Sequence, residues 1–408
     1  MARRLCGPAI LTVAAALLLA AALPPRPWPM SPAESADPAT FPESAMILRG
    51  AIGSAVERGD AAAVERGART LAAMGGALSI ASQARIAPFL SPDEAAALAE
   101  RFEENIEPIA HSTLETEVPP EYRIVEGLAF DPRTKRLFAG TVVDGELLVR
   151  EGLAWRRVPL EGPVGGLFGM AVDARHRLLW MTSGAAQQVA DPARVFRGLI
   201  AVDLDRLAVA RRVPLPAGGE AAGSPGDLVV AGDGTVYVSN AENGAIHVCR
   251  PGCGRLADLV PQGRFRNPQG LALSRNGRLL YVADYGYGLA VIDLRHGGIE
   301  RVTAEGPAML DGIDGLVRYG DDLIAVQNGA NPRRIIRLGM GSKGRVVRSL
   351  HVLERANPDW GEPTLATIAG KRLFFVADGQ WERFAARGAP VGREPARVTP
   401  IRALELSR

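Results

Sequence analysis

The sequence predicts an all-β fold, a six-bladed β-propeller, preceded by a small N-terminal helical segment. Three observations carry this. Beyond residue 107, helical periodicity gives way to short apolar strands separated by polar turns that carry Asp, Asn or Gly. Six such units open with EGLAFDPRTKRLFAG, FGMAVDARHRLLWMTSG, GDLVVAGDGTVYVSN, QGLALSRNGRLLYVAD, DGLVRYGDDLIAVQN and PTLATIAGKRLFFVAD. With Leu128, Met170, Leu228, Leu271, Leu316 and Leu365 as equivalent points, the units recur roughly every 40 to 50 residues apart from one longer interval. That period holds four strands per unit, the size of a propeller blade.

The elements follow in chain order. Residues 1–22 place Arg3 and Arg4 ahead of an apolar run and end in small residues, which reads as a secretory signal peptide. An uncleaved anchor is the alternative, and no membrane span is expected once the segment is removed. The location expected is therefore periplasmic or secreted. Residues 23–42 are rich in Pro, Ser and Ala without a sustained period and read as an extended linker.

Residues 43–107 form the helical subdomain. Leu48, Ile52 and Val56 share a helix face, Asp60 is placed to cap a second helix, and Ser91-Pro92-Asp93-Glu94 is a capping box. Packing against the main domain is the expected role, with docking of a protein partner as the alternative. Residues 108–408 then hold the propeller. The long interval contains an inserted loop over residues 185–198, and residues 112–118, STLETEV, are expected to close the ring as the fourth strand of the last blade.

Composition narrows the function. Of 408 residues, 47% are apolar and 23% charged, which is ordinary for a globular chain. Loss of residues 1–22 removes Arg3 and Arg4 and leaves acids and bases equal in number, so no electrostatic footprint for nucleic acid exists. Cys249 and Cys253 flank a Pro-Gly turn and are expected to form a hairpin disulfide in an exported protein, with free thiols as the alternative. No G-x-S-x-G motif supports a serine hydrolase, and the five His residues lack metal spacing.

The first strand of each blade lines the central channel, so its start supplies the channel mouth. Two places before each equivalent point stand Glu126, Phe168, Gly226, Gln269, Asp314 and Pro363. Asp227 and Glu362 lie one place out of register. Gathered carboxylates repel unless a cation neutralises them, and an all-oxygen donor set suits a hard metal such as Ca²⁺. Asn328, in AVQNGANP, stands in a tight turn and is a further mouth residue. The strand ends Asn240, Asp284, Asn328 and Asp378 form a second series of expected turn caps, and Tyr285, Tyr287 and Trp381 are candidates for pocket walls.

Residues 126–378 resemble the senescence-marker/gluconolactonase family of six-bladed propellers, which is akin to NHL-repeat and paraoxonase propellers. The resemblance rests on Glu126-Gly127 for the family's E-G pair, Gln269-Gly270-Leu271 for its N-G-L motif and Ile313-Asp314-Gly315 for its P-D-G motif. It implies that Glu126, Gln269 and Asp314 bind one divalent cation. It further implies hydrolysis of a lactone or related ester, with Asp314 or a neighbouring carboxylate steering water; from their places near the mouth, Asp227, Asn328 and Glu362 are the expected substrate contacts. The Asn of the family's N-D pair is Gly226 here, and Gln269 is one methylene longer than the Asn it replaces. Those two departures favour the rival expectation, a non-catalytic propeller that binds a ligand or partner protein at its mouth.

Overall fold

The computed structural model describes Trp28, Pro29 and residues 37–218 and 223–406. The expected signal peptide, residues 1–22, and most of the linker lie outside the described residues. Among the described residues, no helix is long and apolar enough to cross a membrane.

Six sheets form a six-bladed propeller. Blade 1 runs Val125–Phe130, Leu137–Thr141, Leu147–Glu151 and Ala154–Val158, and the next four blades repeat this up-and-down order. Blade 5 carries an additional short strand, Thr303–Ala304, that pairs in parallel with Val346–Arg355. Blade 6 is built from both ends of the chain. Its strands Ala366–Ala369, Arg372–Val376 and Thr399–Glu405 come from the C-terminal region, and Thr113–Val118 adds the outer strand antiparallel to Thr399–Glu405. Closure by STLETEV is thus the observed seam. Glu115 fastens it by binding Arg150 of blade 1 at 2.7 Å and Arg372 of blade 6 at 2.8 Å.

Alternating apolar residues face neighbouring blades, so the core is a ring of inter-blade layers. One layer joins Phe138, Leu147 and Val149 of blade 1 to Leu179, Met181 and Ile200 of blade 2. Blade 3 carries the Cys249–Cys253 disulfide at the end of its third strand, with Cα atoms 5.5 Å apart.

Among the described residues four α-helices precede the ring: α1 (Ala45–Arg58), α2 (Ala61–Ala73), α3 (Ile80–Ile86) and α4 (Pro92–Ile106). The Asp60 side chain accepts from Ala63 N–H and the Ser91 side chain from Glu94 N–H, which starts α2 and α4 where the capping residues stand. Leu48 and Ile52 of α1, Leu71 of α2 and Phe102 of α4 bury one common face. Met309 and Ala330 of the propeller complete that cluster, so the helices are packed onto the ring near blades 4 and 5. Trp28 and Phe41 fall in the stretch expected to be a plain linker. Both are buried against blade 4, Trp28 on Phe265 and Phe41 edge-on to Tyr287. Tyr287 therefore packs beneath the N-terminal segment and is not among the described residues that line the channel mouth.

Candidate functional site at the channel mouth

A repeated backbone irregularity makes the site. In each of blades 1 to 5 the first strand shifts register against the second by a bulge between its opening residues and the equivalent Leu or Met. The bulged pairs are Glu126-Gly127, Phe168-Gly169, Gly226-Asp227, Gln269-Gly270 and Asp314-Gly315. A bulge re-aims side chains, and here the first member of each pair faces the mouth.

The glycine follows from crowding at the axis. A Cβ on Gly127 would lie 2.1 Å from the Phe168 carbonyl oxygen, and one on Gly270 would lie 2.6 Å from the Asp314 carbonyl oxygen. Four blades meet this demand with Gly. Blade 3 places Asp227 at that position.

The mouth opens into a cavity of about 700 Å³ lined by Glu126, Phe168, Gly226, Gln269, Asp314 and Glu362 together with Tyr285, Asn328 and Trp381. The inserted loop contributes Ala185, Ala186 and Gln187. No Lys or Arg is among the described residues that line it.

Two sets of hydrogen bonds fix the acids. Trp381 Nε1 donates to Glu126 Oε2 at 2.8 Å. Across the cavity the Tyr285 hydroxyl donates to Asn328 Oδ1 at 2.8 Å, and Asn328 Nδ2 donates to Asp314 Oδ2 at 2.7 Å. Burial pushes Glu126 well above the usual carboxylate range, and the nearby Asp314 charge pushes it further. Burial likewise raises Asp314 to about 7, with Glu362 adding repulsion. Glu362 is itself raised by burial, against the opposing charge of Arg333.

Three expected site residues sit differently from the simple register picture. Gln269 reaches the cavity, but its Nε2 donates to Asn267 Oδ1. Gly226 carries no side chain into the mouth, and a Cβ there would stand 3.2 Å from Ser239 Oγ, a tight contact, and 3.8 Å from Gln269 Oε1. Asp227 lines a separate cavity of about 650 Å³ at the other end of the channel rather than the mouth. Its Oδ2 accepts from Leu271 N–H of blade 4 at 3.2 Å, and burial raises it to about 7.

The second series of residues also separates. Asn240 accepts from Ser224 N–H, Asp284 from Arg266 and Asn267 N–H, and Asp378 from Glu362 and Gln380 N–H. Each thereby ties the end of a second strand to the loop that opens its own blade. In blade 5 Gln327 pairs with Ile313 as Asn240 pairs with Pro225, and its Nε2 donates to the Met309 and Asp311 carbonyls. Asn328 is one residue further on and is therefore free to face the cavity. Phe168 stands in the register series of the sequence and Trp381 among its candidate pocket walls. Their rings stack, centroids 6.4 Å apart and planes within 13°, a contact that is not legible in the sequence because no local motif links blade 2 to blade 6.

The donor chemistry fits a hard divalent cation. Three carboxylates face one cavity whose described lining lacks a basic side chain. Among the described residues, however, no three His, Cys, Asp or Glu side chains stand together as a formed metal cage.

No family model and no curated protein sequence matches the chain. Solved structures do match. A luciferin-regenerating enzyme is 13% identical, with 74% of this chain and 96% of that one covered at a TM-score of 0.50. Regucalcin from Agrobacterium tumefaciens, described as a calcium-binding protein, is 15% identical over 72% and 96% of the two chains, with a TM-score of 0.47. A gluconolactonase from Xanthomonas campestris is 16% identical over 73% and 96%, with a TM-score of 0.46. These neighbours include the gluconolactonase-like proteins that the sequence motifs resemble, and at such identities the likeness is one of fold.

Proposed function

We propose that the chain is an exported hydrolase of lactones or related esters that works at the channel mouth with one divalent cation, Ca²⁺ by donor type. The observation that carries this reading is the set of Glu126, Asp314 and Glu362 around one cavity with no basic side chain among its described lining residues. Glu126, Asp314 and the Oε1 of Gln269 would hold the cation, with Glu362 beside them. When bound, such a cation polarises a carbonyl and stabilises the oxyanion formed on attack.

The chain's own residues supply the rest. Asn328 occupies Asp314 Oδ2, which leaves Oδ1 without a protein donor among the described residues and able to orient a water for attack. Trp381 holds Glu126 in one orientation, and its stack with Phe168 gives the substrate an apolar wall. Asn328 and Glu362 serve as polar contacts for the substrate. Asp227, expected in that role, lines the cavity at the far end of the channel instead. Export is favoured by the leader-like segment and by a disulfide that suits an oxidising compartment.

The test is metal content of the mature protein, followed by lactone hydrolysis with and without chelator. Stoichiometric metal, loss of activity on chelation and loss in Asp314→Ala are expected. Wild-type behaviour of Asp314→Ala in a metal-free protein would leave the second reading, a non-catalytic ligand-binding propeller, which the bare Gly226 and the occupied amide of Gln269 favour.

A further inference from the structure

We propose that the N-terminal helices act as a brace for one half of the mouth, and that Tyr285 and Asn328 are positioning residues through which this brace fixes the Asp314 carboxylate. The inference rests on the hydrolytic reading for its consequence on turnover, and on contacts alone for its geometry.

Two mouth loops carry the chain of hydrogen bonds from Tyr285 through Asn328 to Asp314, and the helical module grips both. At the Tyr285 loop, Ser44 Oγ donates to the Gly286 carbonyl at 2.9 Å. Phe41 packs edge-on to Tyr287, with ring centroids 5.0 Å apart. At the Asn328 loop, Ala77 N–H donates to the Asn331 carbonyl at 2.9 Å, and Asn331 Nδ2 donates back to the Ala77 carbonyl at 3.1 Å. Arg49 donates to the Asn331 carbonyl at 3.3 Å, and Ala330 is buried in the helical core.

The two loops also meet each other. Gly312 N–H donates to the Tyr285 carbonyl at 2.6 Å, and Gly329 N–H donates to the Gly312 carbonyl at 3.1 Å. A Cβ on Gly329 would come 2.7 Å from the Tyr285 hydroxyl oxygen, so the ring is seated directly on the turn that follows Asn328. A shift of either loop against the other therefore breaks the hydrogen bond between Tyr285 and Asn328, and Asn328 then loses its orientation toward Asp314.

The Glu126 side of the mouth is held by different means. Its partner Trp381 belongs to blade 6, and the bond between them spans two neighbouring blades of the ring. Loosening the helices should thus disturb Asp314 and spare Glu126. A mouth residue depends here on a module that does not line the cavity, which is how a remote packing contact can control the placement of a reacting group.

The experiment uses the full mature chain with its tyrosines ¹³C-labelled at the hydroxyl-bearing carbon. There are six tyrosines, and Tyr285→Phe assigns the relevant signal. Asn331→Ala and Arg49→Ala loosen the brace, while Asp131→Asn on the far side of the ring serves as a control for general destabilisation. A shift of the Tyr285 signal in both brace variants, unmoved in the control, is expected. In lactone hydrolysis the brace variants and Tyr285→Phe should each lower kcat by about tenfold with little change in KM, and the combination of Asn331→Ala with Tyr285→Phe should lose no more than either alone.

An unmoved Tyr285 signal in the brace variants overturns the proposal, as does a shift of equal size in Asp131→Asn. Additive losses in the double variant overturn it as well. A shifted signal in a protein that hydrolyses no lactone supports the brace and defeats the hydrolytic reading, so the two fail separately.

Discussion

Arg177 of blade 2 grips Asp131 of blade 1 through both carboxylate oxygens, at 2.8 and 2.9 Å. The acid is buried, and a second acid, Asp205, holds the same guanidinium from the solvent side at 2.9 Å. With Arg177 and Thr134 as donors, Asp131 is held down to about 2 despite its burial.

A carboxylate with a depressed folded pKa stabilises the fold above its unfolded value, near 4, and loses that contribution as the pH falls through the folded value. The melting temperature of the wild type should therefore fall between about pH 4 and pH 2 by more than that of Asp131→Asn. At pH 7 the variant should be less stable by about 2 kcal/mol, since charged hydrogen bonds are replaced by neutral ones. Parallel acid limbs for the two proteins would show that the pair contributes nothing.

Crowding at the axis gives a second expectation. Gly127→Ala drives a Cβ against the Phe168 backbone carbonyl, which has no flexible end to yield. The loss should be about 1–3 kcal/mol or more in urea unfolding. Gly232→Ala, at a site with nothing within 4 Å of the new atom, is the matched comparison and should lie within about 0.5 kcal/mol of wild type. Equal stability of the two variants would mean that the blades part easily at the axis.

Asp311 ties the ring to the first helix, accepting from Ala45 N–H at 3.0 Å and Met46 N–H at 2.7 Å. Asp311→Ala leaves two donors at the helix start, one buried and one partly buried, without their acceptor. A loss of about 2 kcal/mol is expected in thermal unfolding, with the helical signal lost first. Unchanged unfolding would show that α1 is held by its apolar face alone.

The bare position in blade 3 can be given a side chain if the Ser239 hydroxyl gives by a few tenths of an ångström. Gly226→Asn returns an amide to the position the resembling family occupies, in space bounded by Ser239 Oγ and Gln269 Oε1. Calcium affinity measured by calorimetry should rise by about tenfold if that edge of the cavity contributes a ligand. The same affinity in both proteins would confine any cation to the Glu126 and Asp314 side.

Much of the ring is legible in the sequence because each blade repeats the same demand. An apolar strand, a polar turn and a second apolar strand announce themselves six times, and the acids at the strand starts come with a shared register. What repeats poorly is harder to see. Asn328 resembles Asn240 and Asp284 in sequence, yet Gln327 takes their bracing role and frees it for the mouth. Asp227 looks like a neighbour of the site, but the bulge turns it toward the opposite end of the channel. Trp28 and Phe41 sit in a segment of linker composition, and their burial depends on an apolar surface of blade 4 more than 200 residues away.

The seam sets an order on synthesis. Thr113–Val118 emerges from the ribosome before any blade exists, and its partner Thr399–Glu405 follows only after every other strand of the ring. While the intervening blades are made the earliest strand thus has no neighbour, and an unpaired strand invites other chains. Its sequence, TLETEV, answers this with two glutamates in six residues. One of them, Glu115, later becomes the clasp to Arg150 and Arg372, so the charge that keeps the waiting strand apart from strangers also locks it once Thr399–Glu405 arrives.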